Sequence, residues 1–591
     1  MAIAALLKDT VTSSLTALYQ QPFSEKDFQV NQTKPEFEGD YTIVLFSLIK
    51  KLKKSPDQAG NELGAYLTAH YPGLFSAFNI IKGFLNLTIA ESYWLDTLER
   101  NYKDAQYGRQ PSKGERVMVE YSSPNTNKPL HLGHLRNNFL GWSSAAILHY
   151  NGYDVVKTCI ANDRGIHICK SMVAWQLWAN GATPESAGIK GDHFVGDYYV
   201  LFGQELKKQV EALTEKGLSK DDAEKQAPIM QLAQQMLVDW EAGKPDVIEL
   251  WKKMNSWVYA GFDITYKRIG SNFDKTWYES DTYLLGKDLV VFGLEKGVFF
   301  QKDDGSVWID LTADGLDEKI VRRKDGTAVY MTQDIGLAVK KYEEYHCNKS
   351  IYVVGNEQDY HFRVLKLICQ KLGLPAADGI FHLSYGMVEL PSGRMKTREG
   401  TVVDADDIID EMVNVSRQKT EELGKVKDFT EEELKELFDT IGIGALKFFL
   451  LRVDPKKKML FNPEESIDFH GFTGPFIQFI HARIKSILRK EQATDTIPFT
   501  QSLLPLEKEL LITMEQYPVV LEQAAAEYNP SHIANYVYAV AKTFSSFYTE
   551  HKVANAETAE KKQLRLRLCQ MAANIISSAM ALLGIKVPDR M

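Results

Sequence analysis

Between residues 30 and 90 the apolar positions change period. Ile43, Leu45, Phe46, Leu48, Ile49 and Leu52 recur at helical spacing and leave a lysine-rich opposite face. The next apolar stretch, FLNLTI at 84–89, alternates: Leu85, Leu87 and Ile89 point one way, Phe84, Asn86 and Thr88 the other. This predicts a small α/β unit over residues 1–108, followed by a linker in GRQPSKGE, 108–115. Beyond it the pattern becomes strand, helix, strand. VMVEY (117–121) reads as a strand, a helix follows through Leu148, and DVVKTCI (154–160) reads as the next strand. TAVYM (327–331) and IYVVG (351–355) are short apolar runs, each ahead of a helical pattern. Such alternation predicts a parallel, doubly wound sheet.

A charged, mostly helical stretch at 179–278 interrupts this sheet. From 402 onward the pattern is helical, with strong amphipathic stretches at 475–490 and 532–548. The fold class expected is α/β multidomain. A split Rossmann-like parallel-sheet core would carry a small N-terminal α/β domain and a C-terminal all-α helical bundle. The expected segments are 1–108, the first half of the core at 109–178, the insertion at 179–278, the second half at 279–401, a helical connector at 402–460, and the bundle at 461–591.

Composition narrows the function classes. A chain of 591 residues is long enough for several cores. Its net charge of −9 argues against a protein that wraps nucleic acid wholesale, so any such contact must come from local basic patches. The five cysteines form no CxxC pair, which suggests neither a zinc knuckle nor a disulfide framework. MAIAALLKDTV lacks a basic leader region, and no apolar run reaches membrane-spanning length. The expected compartment is a reducing cytoplasm, without membrane association.

Two segments carry chemistry. SSPNTNKPLHLGHLRNN (122–138) follows a predicted strand and opens a predicted helix, with His131 and His134 flanking Gly133. A helix N-terminus offers free N–H groups and the positive end of its dipole to phosphates. Two imidazoles three residues apart can donate to phosphate oxygens as charge builds there. Taken alone, the pair fits two surface histidines or half of a zinc site equally well, but no further ligands at metal spacing lie nearby. GRMKTREG (393–400) places Arg394, Lys396 and Arg398 in a glycine-bounded loop able to neutralise a departing pyrophosphate. By itself this is more often a solvated basic turn.

Together the two resemble the HIGH and KMSKS signatures of class I aminoacyl-tRNA synthetases. The flanking strings are similar to the arginyl-tRNA synthetase family: GDHFVGDYYVLF (191–202), WVYAGFDITYKR (257–268), YMTQDIG (330–336), GNEQDYHF (355–362), HARIKSILRK (481–490) and SFYTE (546–550). The resemblance runs from about residue 30 to the C-terminal LLGIKVPDRM. It implies a ligase that activates L-arginine with ATP and magnesium to arginyl-adenylate, without a tightly bound cofactor, and passes arginine to the terminal ribose of tRNA(Arg). ATP would be held by Lys128, His131, Gly133, His134, Arg394, Met395 and Lys396, with catalysis by His131, His134, Lys128 and Arg398. Arginine would be held by Glu120, Asn125, His131, Glu279, Tyr330, Asp334 and Gln358, with Glu279, Tyr330 and Asp334 around the guanidinium. The resemblance also implies a monomer, a tRNA-elbow-binding N-terminal domain and an anticodon-binding bundle.

The loop departs from the family's usual MSTRKG, because Lys396 replaces the serine and Glu399 the later lysine. As is common in the family, Thr397 stands where KMSKS has its second lysine, and the resemblance implies that Lys128 substitutes for it. On the tRNA side, Phe84 and Asn86 share one strand face, a stacking ring beside an amide reader. In the C-terminal helix Phe476, Ile477, Ile480, Ile484, Ile487 and Leu488 form the buried stripe, while His481, Lys485 and Arg489 run along another face. Gln478 on that helix, with Tyr536, Tyr538 and Tyr548 further on, completes the candidate tRNA contacts. The competing readings are a shorter HIGH-type nucleotidyltransferase, another class I synthetase, and a non-catalytic tRNA-binding paralogue. Only the altered loop favours the last.

Overall fold

In the N-terminal unit, β1 (Gln29–Gln32), β2 (Tyr41–Val44), β3 (Phe75–Ile81) and β4 (Phe84–Ile89) form an antiparallel sheet in the order β1–β2–β4–β3. A computed structural model of the chain describes residues 3–34, 36–389, 403–422, 428–494 and 502–591. The helical spacing over 43–52 is only half met. Ile43 lies in β2 opposite Leu85, and the helix is limited to Phe46–Leu52. Pairing with β4 draws Tyr41–Val44 into the sheet, where tertiary context overrides local period. Leu85, Leu87 and Ile89 are buried as their alternation predicts.

The core sheet consists of β5 (Arg116–Glu120), β6 (Asp154–Ala161), β7 (Lys275–Tyr278), β11 (Lys349–Gly355) and β12 (Ile380–Tyr385). Its order is β12–β11–β5–β6–β7, and every neighbouring pair is parallel. Strand order reverses beside β5, so a crevice opens beyond the C-terminal ends of β5 and β11, where open α/β sheets take their ligands. Between β7 and β11 lie β8 (Phe300–Gln301), β9 (Val307–Ile309) and β10 (Lys319–Arg322), a small antiparallel sheet with its own apolar cluster. The run TAVYM is not a strand. Only an isolated bridge joins Arg322 to Ala328, and a helix begins at Tyr330 and continues to Tyr345. A mostly apolar run of five residues cannot by itself distinguish a buried strand from a helix start.

The insertion is helical as expected, with long helices at Gly191–Glu215, Pro228–Glu241 and Pro245–Ile269. It ends before 278, because Lys275–Tyr278 is the edge strand β7. Further on, β13 (Val388–Glu389) and β14 (Met459–Leu460) form a short parallel pair. The C-terminal bundle comprises Gly474–Lys490, Pro505–Glu515, Tyr517–Glu527, Ser531–Glu550 and Ala559–Leu582. It also packs on the N-terminal unit. The amide of Ile3 donates to Glu515 at 2.6 Å, Lys508 pairs with Asp40 at 2.8 Å, and Gln516 donates to the Tyr41 hydroxyl at 2.6 Å. No helix among the described residues is long and apolar enough to cross a membrane.

Candidate active site

The helix Leu132–Tyr150 starts from His131, which sits in extended backbone as its N-cap. The Gly133 amide donates to Nδ1 of His131, and the His131 amide donates to Nδ1 of His134, each at 3.1 Å. A ring nitrogen that accepts carries no proton, so these two bonds place the remaining proton of each neutral imidazole on Nε2. Burial, reinforced by the Lys128 ammonium, lowers His131 to about 4. The same burial, with His131 and Lys128, holds His134 well below the usual histidine range. Both rings are therefore neutral Nε2–H donors near pH 7, and their centroids lie 3.8 Å apart. Lys128 is itself lowered by burial. A side chain at Gly133 would meet the His131 ring at 3.0 Å, which explains a glycine between the two histidines.

Just beyond β5 the backbone is strained. Ser122 and Ser123 adopt φ of 83° and 30°, sparsely populated for non-glycine residues. The signature helix holds them there. Asn137 accepts from the Ser122 amide at 2.6 Å, and Asn138 donates to the Ser122 hydroxyl at 3.0 Å. Asn137 also donates to the Val353 carbonyl of β11 at 2.7 Å, so one side chain ties together the two strands beside the crevice. Asn125 follows this kink, bridges to Asn162, and is exposed. Gln358 is exposed beyond the end of β11. The two expected head-group residues thus stand beyond the ends of adjacent strands.

The expected guanidinium residues gather at the same edge of the sheet. Glu279 directly follows β7, and burial pushes its carboxyl up to about 7, against the opposing pull of Arg164 and with help from Asp163 and Asp334. Tyr330 and Asp334 share a helix face, four residues apart, and Tyr330 is 72% exposed. His361, which sequence reasoning left without a role, has Nε2 2.6 Å from the Asp334 carboxylate. Glu120, expected among the arginine-binding residues, has its carboxylate engaged within the protein. It is buried, paired with Lys341 at 2.6 Å, and accepts from Thr158 at 3.3 Å. A buried charge must be countered, and here the protein counters it internally.

Arg394, Met395, Lys396 and Arg398 lie outside the described residues. The segment that follows them is anchored to the signature. Asp404 bridges to His131, the Leu132 amide donates to the Val403 carbonyl, and the Ala405 amide donates to the Leu130 carbonyl. Asp192, His193 and Asp406 bring possible metal-ligand atoms within 4.8 Å of one another. The Lys190 ammonium already sits on this cluster, 3.0 Å from Asp192 and 2.7 Å from Asp406. Burial would raise the Asp406 carboxyl, but His193 and Lys190 hold it well below the usual range.

Comparison with known proteins identifies the family of the domains that carry this site. Residues 99–462 match the family described as tRNA synthetases class I (R), catalytic domain. Residues 5–89 match the Arginyl tRNA synthetase N terminal domain, and 477–591 the DALR anticodon binding domain. An arginine–tRNA ligase of Bacteroides fragilis is 52% identical over 598 residues, with both chains fully covered. This chain belongs to the arginyl-tRNA synthetase family. A second arginine–tRNA ligase, from Flavobacterium psychrophilum, is 51% identical over 604 residues, again with full coverage of both chains. The fold matches arginyl-tRNA synthetase of Thermus thermophilus with a TM-score of 0.79 at 23% identity, covering 99% of this chain and 100% of that one.

The tRNA-facing expectations fare unevenly. Phe84 is exposed and meets the exposed Phe46 edge-on at 5.4 Å. Asn86 shares its strand face but is buried, accepting from Thr42 at 2.6 Å and donating to Asn79 at 2.9 Å. It cannot read a base from there. In the family's anticodon-binding domain, Gln478 is fully buried and donates to the carbonyls of Thr440 and Lys586. His481 is buried, with Nδ1 3.1 Å from the Pro588 carbonyl. Tyr536 is buried, stacked on Tyr517, and donates to the carbonyls of Thr513 and Met514. These three hold the bundle and its C-terminal tail together, so their assignment to tRNA is corrected. Lys485 lies 3.7 Å from Asp589, and Arg489 donates to the Asp589 carbonyl at 2.8 Å. Tyr548 is half-buried against Phe544, and Tyr538 packs on Phe472. Next to this face is a cleft of about 320 Å³ lined by Phe429, Phe479, Arg483, Arg489, Arg590 and the C-terminal Met591.

Proposed function

We propose that this chain is an arginine–tRNA ligase that activates L-arginine with ATP, taken as its magnesium complex, and charges tRNA(Arg). The observation that carries the amino acid is Glu279. A carboxyl held near neutrality by burial beside two further acids is a site that a guanidinium would complete. Asp334 would take the other edge of that cation, Tyr330 would lie along it, and Asn125 and Gln358 would hold the head group. The neutral Nε2–H donors of His131 and His134, with the Lys128 ammonium, suit the phosphates of ATP at a helix N-terminus.

The arginine carboxylate then attacks the α-phosphorus, pyrophosphate leaves, and a hydroxyl of the tRNA terminal ribose attacks the adenylate carbonyl. Family membership favours the 2′-hydroxyl. Catalysis is largely positioning and charge stabilisation. Anticodon bases would enter the arginine- and phenylalanine-lined cleft beside Arg489, and Phe84 would stack on a base of the tRNA elbow. The chain would act as a monomer in the cytoplasm, where its five buried cysteines stay reduced. The deciding experiment is aminoacylation with each of the twenty amino acids and total tRNA. Charging by arginine alone is expected, and preferential charging by another amino acid refutes the reading.

A further inference from the structure

The signature helix carries a buried guanidinium that the reaction does not use. Arg136 follows His134 by two residues and is fully buried. It donates to the carbonyls of Gly386, Pro455 at 3.1 Å and Lys457 at 2.9 Å, with a longer contact to Asp454 at 3.4 Å. No carboxylate forms an ion pair with it among the described residues; backbone oxygens take its hydrogen bonds, and the Tyr385 ring lies 6.0 Å away. Two segments are thereby fixed to the catalytic helix. One is Gly386–Glu389, which runs from the end of β12 towards the KMSKS-like loop. The other is the loop 454–458, stitched to the first by the Gly386 amide on Pro455 and by the β13–β14 pairing.

That second loop reads DPKKK. Lys456, Lys457 and Lys458 are all exposed, and none makes an ion pair among the described residues. The lysines at 485, 508 and 561, by contrast, are each paired with a carboxylate. In a chain of net charge −9, three adjacent unpaired ammonium groups form a local positive patch. Its location is specific. The loop stands at the C-terminal edge of the core sheet, the side on which the candidate site lies. It also touches the C-terminal bundle, because Asn529 donates to Asp454 at 3.1 Å and Asn535 to the Arg452 carbonyl at 3.3 Å. The loop therefore links the bundle to the catalytic helix, the two parts that an RNA bound at both would bridge.

We propose that Lys456, Lys457 and Lys458 form a contact for the phosphate backbone of the tRNA, on a loop that Arg136 clamps to the catalytic helix. The proposal takes the tRNA as partner from the ligase reading. The rest comes from the loop's charge and position. A flexible lysine loop would lose entropy on binding, whereas this one is held in place before RNA arrives.

The test uses the full chain and transcribed tRNA(Arg), with dissociation constants measured from 50 to 300 mM KCl. Wild type is compared with K456A/K457A/K458A and K456R/K457R/K458R. Each lost phosphate contact removes about 0.7–0.9 from the slope of log K against log salt, so the alanine variant should lose roughly two from the slope or more. Its tRNA affinity should fall about tenfold at 100 mM salt, while the Michaelis constants for ATP and arginine stay within about twofold. The arginine variant should retain the wild-type slope, which excludes a folding defect at the loop. An alanine variant with wild-type slope and affinity overturns the proposal. If the wild type charges no tRNA with arginine, the ligase reading falls, while the slope still decides the contact.

Discussion

Arginine affinity should depend on pH through Glu279. In the free protein this carboxyl is buried, lies near Asp163 and Asp334, and is raised to about 7, with Arg164 only partly offsetting the shift. A raised carboxyl pKa means that the proton is bound below pH 7 and lost above it. A guanidinium pairs with the ionised form, so binding must displace the proton wherever it is present. The apparent dissociation constant then scales with one plus the ratio of protonated to ionised Glu279. With a value of about 7, arginine should bind roughly twofold more weakly at pH 7 than at its limit, and about tenfold more weakly at pH 6. The assay is equilibrium binding of arginine to the free protein from pH 6 to 8, without ATP or tRNA, so that no arginine is consumed. Calorimetry in two buffers of different ionisation enthalpy should show about half a proton released per arginine at pH 7. Glu279→Gln should bind arginine weakly, with the slope abolished. A flat profile in the wild type refutes the reasoning, and so does a slope that survives in Glu279→Gln.

Asp334→Asn should raise the Michaelis constant for arginine by about ten- to a hundredfold and leave that for ATP nearly unchanged, because a charge-assisted pair is lost. Equal damage to both constants would make Asp334 a support for its helix and for His361 instead. Lys128→Ala should lower the turnover number by about two orders of magnitude, the scale of a lost transition-state charge contact, whereas Lys396→Ser should cost much less. Steady-state aminoacylation at saturating tRNA measures both, and the reverse ranking would move the phosphate lysine into the loop. ATP–pyrophosphate exchange with arginine should be negligible until tRNA is added, and brisk exchange without it would contradict this expectation.

The sequence by itself determined those parts of the protein whose signals are local. β5, the helix opened by His131, β6 and β11 were readable because short apolar runs, helix-start residues and apolar period act over a few positions. The signature histidines were readable for the same reason, since a helix N-terminus and its cap are made within four residues. Tertiary structure alone decided the partners. Periodicity places Asn86 on the face of Phe84, but only the fold puts Thr42 and Asn79 against it. It sets His481 on the same helix as Lys485 and Arg489, but only the returning C-terminal tail turns His481 and Gln478 inward. Arg136 and Lys341 are charged residues in helical stretches, and nothing local in the sequence marks them as buried. They are buried because carbonyls from residues 386 and 454–457 and the carboxylate of Glu120 converge on them. The backbone period reports whether a face is covered. What covers it depends on segments distant in sequence, and for a polar side chain that partner decides whether it reaches a ligand or holds the fold together.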